Sequence, residues 1–344
     1  MLQIISSDKV EEWDEYLEKI DTRDVQYSCN YIKLFADYEQ GQGLLCIYED
    51  ENGLVYYPFI KKSIDNTKYF DITGPYGYGG PLYKVIKNQY ELIKEFRKEF
   101  DKYCNENNII SEFIRFHPLL DNHKYLQEHL EVLEIKKIVY IDLTKSEEEI
   151  FSNYKSSNRR AIKKALRETV EVFKDNNKFQ DFKEIYENTM DRNNAMDYYY
   201  FNDSFFKKIN STMINNINYY YSQREDKIIS TELVLYSSDF AHSYLGGTLS
   251  EFFQYRPNNL LKHEIILDCK NRGIKYFILG GGYSANDGLF NYKLTFNPMG
   301  IRSFYIGKKI HNSSIYKNLI KEIFKEEEME NVNYFPLYRY KRTD

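Results

Sequence analysis

The chain has 344 residues, a length that favours two domains over one core, and it is 42% hydrophobic. Its formal net charge of −5 argues against a protein that coats nucleic acid. Its cysteines, Cys29, Cys46, Cys104 and Cys269, are scattered without a CxxC pair. This predicts reduced thiols in a cytoplasmic protein rather than a disulfide scaffold or a zinc ribbon. We expect no signal peptide, because acidic residues stand where one needs basic residues, and no membrane span, because no apolar stretch reaches the roughly 18 residues required.

The first half of the chain alternates strand-like and helix-like segments, which predicts an α/β or α+β fold. Residues 44–61 indicate two strands around the turn Asn52-Gly53, a hairpin signal. Further along, the patterns predict a strand at Tyr69–Thr73, a helix at 89–106, and strands at Ile109–Phe116 and Val139–Leu143.

A helix start marks the predicted domain boundary. Ser146 and Glu149 have the spacing of a capping box. We therefore place the boundary near Thr144 and predict an N-terminal domain of residues 1–143 and a C-terminal domain of residues 144–344.

The second half repeats the order of elements seen in the first. Strands are predicted at Lys227–Tyr236 and Ala241–Thr248, a turn at Phe253–Asn259, a helix at Leu260–Arg272 and a strand at Lys275–Leu279. Each half thus contains a strand, a turn with glycine or proline, a helix and a strand, which indicates an internal duplication by pattern.

The stretch from Lys275 to Asn297 carries the most chemical information. An apolar strand runs into Gly280, Gly281 and Gly282, whose backbone is free to take positive φ or to let another chain pass closely. Asp287 follows, and Lys293 then stands in an aromatic patch beside Tyr292. This arrangement predicts a site for an acyl or phosphate group; the alternative is a strand, a glycine turn and a surface lysine.

These residues resemble the LGGG…D-x-L-x-x-[FY]-K pattern of Fem-type acyltransferases, which carry paired GNAT-type domains. Tyr292 stands where the family usually has Phe. Other resembling segments lie along most of the chain, at Pro75–Leu82, Arg115–Asn122, Asn158–Ala165 and Tyr334–Arg339. The resemblance implies two GNAT-like domains in tandem, each with a mixed central sheet flanked by helices. It also implies N-acyl transfer, since the best-known members add amino acids to the peptidoglycan precursor.

A basic segment from Lys155 to Arg167 contains no acidic residue. On a helix, Arg159 and Lys163 are one turn apart on the same face, where like charges repel unless a polyanion relieves them. Together with Lys155 they are predicted to hold phosphates of the substrate; the alternative is a solvated face.

Two further segments of the sequence bear on which acyl donor the protein uses. Acetyl-CoA-using GNAT enzymes have a glycine-rich loop before the helix that is predicted here at Leu260–Arg272, and this chain has Pro257, Asn258 and Asn259 in that turn instead. Proline lacks the backbone N–H that could bind the pyrophosphate of CoA, so the donor is predicted to be aminoacyl-tRNA rather than acyl-CoA. Asn258 and Asn259 can still cap the helix and bind an anion. Tyr244 and Gly246 lie in the strand that splays from its neighbour in GNAT folds, where backbone amides would polarise the acyl carbonyl.

Tyr76 and Tyr78 stand among glycines in Pro75–Leu82. They are predicted to stack on a sugar or a base, the alternative being a tight turn with packed tyrosines.

These observations predict an N-acyltransferase with no metal and no tightly bound cofactor. Lys293 would supply positive charge at the oxyanion or at an acceptor phosphate, and Asp287 would order the glycine loop or take the proton of the attacking amine. The acceptor implied by the resemblance is a peptidoglycan precursor or another nucleotide- or lipid-linked amino sugar, met at the membrane surface if it is lipid-linked. The alternatives are an acyl-CoA-dependent sugar N-acyltransferase of surface polysaccharide synthesis and a non-catalytic binding protein on a degenerate GNAT scaffold.

Overall fold

The computed structural model of the protein describes residues 1–21, 24–283, 287–321, 332 and 334–340. The strands are β1 (Leu2–Ser6), β2 (Gln42–Asp50), β3 (Gly53–Ser63), β4 (Phe70–Thr73), β5 (Leu82–Val85), β6 (Ile109–Arg115), β7 (Glu131–Asp142), β8 (Glu171–Lys174), β9 (Ile217–Arg224), β10 (Lys227–Tyr236), β11 (Phe240–Thr248), β12 (Tyr276–Gly280) and β13 (Ile301–Ile310). The α-helices are α1 (Val10–Glu18), α2 (Cys29–Tyr38), α3 (Gln89–Glu106), α4 (Glu147–Asn153), α5 (Ser156–Arg167), α6 (Phe179–Arg192), α7 (Asp203–Thr212), α8 (Pro257–Asn271), α9 (Gly288–Lys293) and α10 (Ser313–Lys321).

Two compact units divide the chain. The first unit comprises Met1–Asp21, Gln26–Ile135 and Phe304–Asp344, and the second comprises Thr22–Val25 and Lys136–Ser303. The units therefore differ from halves of the sequence, because the second begins within β7 and the C-terminal segment packs with the first. The division into tandem domains at residues 143 and 144 stays a prediction.

The first unit is built on a mixed sheet. Its strands follow the order β1-β2-β3-β4-β6-β13, with β5 beside β3, and β4–β6 is a parallel pair among antiparallel ones. Helix α3 buries Ile93, Phe96 and Phe100 on one face, as its apolar spacing predicted, and these side chains join the core of the sheet.

The strands of the second unit follow the order β7-β12-β11-β10-β9-β8 and are of mixed direction. The pair β11–β12 is parallel, whereas β12–β7, β10–β11, β10–β9 and β8–β9 are antiparallel. Its core includes Ile162 and Ala165 of α5 and Leu261, Ile265 and Ile266 of α8. The predicted α/β class, with mixed sheets flanked by helices, is confirmed.

Local signals in the sequence set several boundaries correctly. The hairpin at Asn52-Gly53, helix α3 and strand β10 begin or end where the patterns predicted, and Ser146 and Glu149 form the capping box of α4. The turn predicted at Phe253–Asn259 is wrong at its end, because α8 already begins at Pro257. Proline is accepted at the first helical position, since the amide it lacks would have no partner within the helix there. Among the described residues, no helix is long and apolar enough to cross a bilayer.

Candidate active site

Glycine is required at the end of β12 and in the loop after it, because other parts of the chain pass close to the backbone there. Gly280 has a φ of +77°, which favours glycine. A Cβ on Gly281 would lie 2.8 Å from the carbonyl oxygen of Lys137, and one on Gly282 would lie 2.1 Å from an oxygen of Asp287. Larger residues would therefore displace β7 or the aspartate.

Asp287 accepts two backbone hydrogen bonds at this loop. One carboxylate oxygen accepts the backbone N–H of Phe290 at 2.8 Å, so that Asp287 caps the N-terminus of α9, and the other accepts the N–H of Tyr283 at 2.5 Å. Both bonds are of the kind that a loop-ordering role requires, and that role stays a prediction. The role of Asp287 as a proton acceptor stays a prediction as well.

Lys293 at the end of α9 turns back to the glycine loop. Its Nζ donates to the carbonyl oxygen of Gly281 at 2.6 Å, and the side chain is half-buried. Burial, assisted by the positive charge of Lys262, lowers the pKa of Lys293 to about 7, against the opposing effect of Glu232. The amine is thus poised between its neutral and charged forms near neutral pH.

The cluster around Lys262 was missed by the sequence analysis. Lys262 of α8 is 4% exposed, donates from Nζ to Ser243 Oγ at 2.6 Å, and pairs closely with Glu232 of β10, itself 4% exposed. Burial lowers the pKa of Lys262, while Glu232 raises it. The available signal was a charged residue within an apolar pattern, in LLKHEII and in STELVLY.

Strands β11 and β12 part at this place. They pair in parallel from Phe240 opposite Tyr276 to His242 opposite Ile278, while β11 continues to Thr248. The register of β10 against β11 shifts so that Tyr244 is the extra residue of a bulge. The pairing of β11 with β12 therefore ends before Tyr244, and the predicted contact of the acyl carbonyl with backbone amides there stays a prediction.

Two further residues of β11 lie near the point where its pairing with β12 ends. The ring nitrogen Nε2 of His242 lies 2.7 Å from Asp24 Oδ2, and both side chains are buried. Gly246 lies opposite Glu232, and a Cβ there would come within 2.7 Å of the carbonyl oxygen of Thr231. Asp24 is distant in sequence from the strand, so no local pattern could have linked it to His242.

The start of α8 is tied into the same unit. Arg256 takes a left-handed conformation, with φ 60° and ψ 37°, directly before the helix. The carbonyl oxygen of Asn258 accepts from the hydroxyl of Tyr292 at 3.1 Å, and the amide of Asn259 donates to Asn158 at 2.8 Å. These bonds assign both asparagines a structural task; the predicted donor contact stays a prediction.

The basic segment forms a helix, α5, and a short extension before it. Lys155 and Lys163 are exposed, whereas Arg159 is half-buried. One guanidinium nitrogen of Arg159 donates to the carbonyl oxygens of Ser152, at 2.8 Å, and Tyr154. Arg159 therefore supplies hydrogen bonds to carbonyl oxygens at the C-terminal end of α4. The exposed lysines are better placed to contact a phosphate.

Tyr76 and Tyr78 belong to the first unit, where the Pro75–Leu82 loop is tightly held. The carbonyl oxygen of Tyr76 accepts from the hydroxyl of Tyr31 at 2.6 Å, and the N–H of Tyr78 donates to Gln26 at 2.8 Å. Both rings are half-buried, with Tyr78 5.2 Å from Phe304 in an edge contact. The backbone at both tyrosines is thus hydrogen-bonded within the unit, and a stacking role stays a prediction.

Comparison with known proteins gives a consistent fold assignment. Residues 152–294 match the family described as acetyltransferase (GNAT) domain, a segment that contains α5, β10–β12 and Lys293. A comparison with curated protein sequences finds no match.

Three solved structures are similar over nearly the whole chain. The crystal structure of FemX is 11% identical with a TM-score of 0.72, covering 92% of this chain and 99% of that one. The C-terminal domain of a putative lysylphosphatidylglycerol synthetase from Agrobacterium fabrum is 10% identical with a TM-score of 0.54, covering 90% and 93%. A tandem GNAT protein from the clavulanic acid biosynthesis pathway is 6% identical with a TM-score of 0.52, covering 91% and 99%. The resemblance to the Fem-type family of the GNAT superfamily is confirmed at the level of the fold.

Proposed function

We propose that this chain, a GNAT-superfamily protein with the fold of FemX, transfers an acyl or aminoacyl group to an amine of a cell-envelope precursor. The observation that carries the proposal is Lys293, held 2.6 Å from the Gly281 carbonyl oxygen within the GNAT-matched segment. The names of the similar structures support an acceptor of the cell envelope, either a peptidoglycan precursor or another nucleotide- or lipid-linked amino sugar.

The chemistry requires alignment more than activation. A free amine is already a nucleophile, so the protein has to place it against the acyl carbonyl and stabilise the charge that develops on the oxygen. Lys293 provides that charge when it is protonated. Backbone amides near Tyr244 and Gly246 would polarise the carbonyl where β11 parts from β12. Lys155, Arg159 and Lys163 would contact substrate phosphates, and Tyr76 and Tyr78 would stack on a ring of the acceptor.

The donor is aminoacyl-tRNA in this proposal, and no cofactor is tightly bound. Pro257 stands where CoA-using relatives have a glycine-rich loop, so one backbone donor for a pyrophosphate is lost. The protein would act in the cytoplasm and would meet a lipid-linked acceptor at the membrane surface.

An acyl-CoA-dependent sugar N-acyltransferase is the second candidate. It is favoured by the description of the matching family, an acetyltransferase domain. Saturable binding of CoA at micromolar concentration would support this candidate, and protection of charged tRNA from hydrolysis would support the first.

The test is a donor screen with the full chain. An amine-bearing precursor is incubated with a panel of aminoacyl-tRNAs and acyl-CoAs, and mass spectrometry detects the transferred group. Lys293→Met is run beside Lys275→Met, which removes an exposed lysine directly before β12. The proposal requires turnover by the wild type and by Lys275→Met. Absence of turnover with every pair would leave a non-catalytic binding protein as the better explanation.

A further inference from the structure

Ser243 is the first residue of β11 beyond the pairing with β12. The last parallel pair lies one residue earlier, at His242, and β12 ends two residues after the partner of His242, at Gly280. Parallel strands advance in step, by about 3.3 Å per residue, so Ser243 comes level with the residue before Gly280. Ser243 therefore stands beside the strand end that leads into the glycine loop, to which Lys293 bonds.

The side chain of Ser243 has a defined partner from α8. Its Oγ lies 2.6 Å from Nζ of Lys262, which is 4% exposed and also pairs closely with Glu232 of β10. The same ammonium lies 5.6 Å from the ring centre of Phe277 on β12. A buried ion pair of this kind adds little net stability. Its effect here is to hold an ammonium against the Ser243 oxygen.

This contact fixes the direction of the Ser243 hydroxyl proton. An ammonium has three N–H donors and no lone pair, so the Ser243 oxygen can only accept from Lys262. The hydroxyl proton therefore points away from the lysine. In the part of the chain that the structure describes, the contact with Lys262 is the only hydrogen bond of this side chain. Ser243 is half-buried, and its hydroxyl can donate to a bound ligand.

We propose that Ser243 is a catalytic residue that donates a hydrogen bond to the acyl carbonyl oxygen of the donor, and that Lys262 and Glu232 are the positioning pair that orients its hydroxyl. This inference rests on the proposed function and adds a hydroxyl donor to the charge supplied by Lys293. A hydroxyl whose oxygen accepts from a cation is the stronger donor, because the two hydrogen bonds polarise one another.

The step balances without a further reactant. The acceptor nitrogen forms a bond to the carbonyl carbon of an activated acyl ester or thioester, and the second electron pair of the carbonyl bond moves onto its oxygen. The Ser243 hydroxyl stabilises that oxygen and keeps its own proton. The carbonyl bond then re-forms, and the bond to the donor oxygen or sulfur breaks with its electron pair leaving on that atom. The proton lost by the acceptor nitrogen ends on the leaving atom.

The first test needs no substrate. Ser243→Cys places a thiol beside the Lys262 ammonium, and alkylation of the full chain by iodoacetamide is followed by mass spectrometry over about pH 6 to 10. The native cysteines are buried, so the wild type is the blank. A neighbouring cation lowers the pKa of a thiol. The introduced thiol should therefore titrate about one unit or more below that of Ser238→Cys, an exposed position in the turn before β11.

Charge variants assign the cause of this shift. In the Ser243→Cys background, Lys262→Met removes the ammonium, so the midpoint of alkylation should rise by about one unit or more. Lys270→Met, which removes one charge from a later turn of α8, is the matched control and should leave the midpoint unchanged. Far-UV circular dichroism checks that each variant is folded.

The second test measures rate with the donor and acceptor found by the screen. Ser243→Ala should lower kcat by roughly 10- to 100-fold, somewhat less than the loss of a full oxyanion-hole donor, with a smaller change in KM. Ser243→Thr keeps the hydroxyl and should restore most of the rate. Ser238→Ala is the matched control and should behave as the wild type.

Several results would overturn the inference. A thiol at position 243 that resists alkylation in the folded protein would show that no acyl donor can reach this side chain. A midpoint equal to that of Ser238→Cys would show that the ammonium does not act there, whether or not Lys262→Met folds. Turnover with an unchanged kcat in Ser243→Ala would overturn the inference alone and retain the proposed function. Absence of turnover by the wild type with every donor and acceptor would overturn both.

Discussion

The two units each bury charged side chains, but they do so with different partners. In the first unit, Arg97 makes two bonds to Glu112, at 2.8 and 3.0 Å, and one to Asp101 at 3.0 Å. Lys309 also contacts Asp101 at 2.6 Å. Cations and carboxylates are matched there, and the Arg97 guanidinium holds the pKa of Glu112 well below its ordinary value against the opposing effect of burial.

In the second unit, Lys262 pairs with Glu232, and Lys293 bonds to the carbonyl oxygen of Gly281, a neutral acceptor. A matched, bidentate pair holds secondary structure together, as Arg97 joins α3 to β6. Burial, with a smaller contribution from a neighbouring positive charge, lowers the pKa of Lys293 toward neutral pH, and such shifts are typical of functional sites. The comparison separates a structural network around two fully buried charges from a half-buried lysine that, in the part of the chain described, bonds only to a backbone carbonyl oxygen.

The largest effect should come from breaking the matched network. Arg97→Met leaves the buried Glu112 carboxylate without its main partner and should lower the free energy of unfolding by about 3–5 kcal/mol. Urea denaturation measures the change. Lys98→Met, on the exposed face of the same helix, should change it by less than about 0.5 kcal/mol. Lys262→Met should likewise destabilise the protein, because the buried Glu232 carboxylate loses its ion-pair partner. An unchanged free energy of unfolding in Arg97→Met would contradict the prediction.

Removing Lys293 should affect rate more than folding. Lys293→Met should reduce kcat by roughly 10²–10³, the scale for losing one oxyanion donor, with a nearly unchanged unfolding midpoint. Lys293→Arg should restore little, because the planar guanidinium does not replace a compact ammonium. Steady-state kinetics with the donor found by the screen measures both. Turnover near that of the wild type would exclude Lys293 from the chemistry.

The basic helix should show a smaller effect, on binding. Lys163→Ala should weaken a phosphate-bearing ligand by up to roughly fivefold, as expected for an exposed charge pair, and the wild-type affinity should fall as salt rises. Arg159→Ala should additionally destabilise the protein, because it removes the bonds to Ser152 and Tyr154. Isothermal titration at two salt concentrations tests this, with exposed Lys145→Ala as control. An unchanged affinity and salt dependence in Arg159→Ala/Lys163→Ala would identify the cluster as a solvated face.

A further effect is on the pH dependence of stability. The pKa of Lys293 is about 7 in the folded chain and 10.5 as its ordinary value. Between these values the unfolded chain binds more protons, so this residue makes stability rise with pH there. Denaturation at about pH 7 and 9.5 should show a smaller rise, or a larger fall, in Lys293→Met than in the wild type. Identical pH dependence would show that the lysine has an ordinary pKa.

Sequence patterns predicted those features that depend on neighbours in the chain. The capping box of Ser146 and Glu149, the apolar face of α3 and the glycine loop at Gly280–Gly282 are all local arrangements of backbone and side chain. The family pattern likewise selected Asp287 and Lys293. Its prediction that Asp287 orders the loop agrees with the two backbone bonds that the carboxylate accepts.

Tertiary structure decided the rest, because electrostatics in a buried site depends on distance in space. Lys262 and Glu232 are thirty residues apart in sequence and meet only because α8 packs on the sheet where β11 parts from β12. The same packing takes water from Lys293 and lowers its pKa. Arg159 shows the converse: the sequence determined that a basic helix forms, whereas the fold turned one of its charges toward carbonyl oxygens at the end of α4. The sequence by itself thus determined which residues carry charge, and the fold decided which of those charges are balanced.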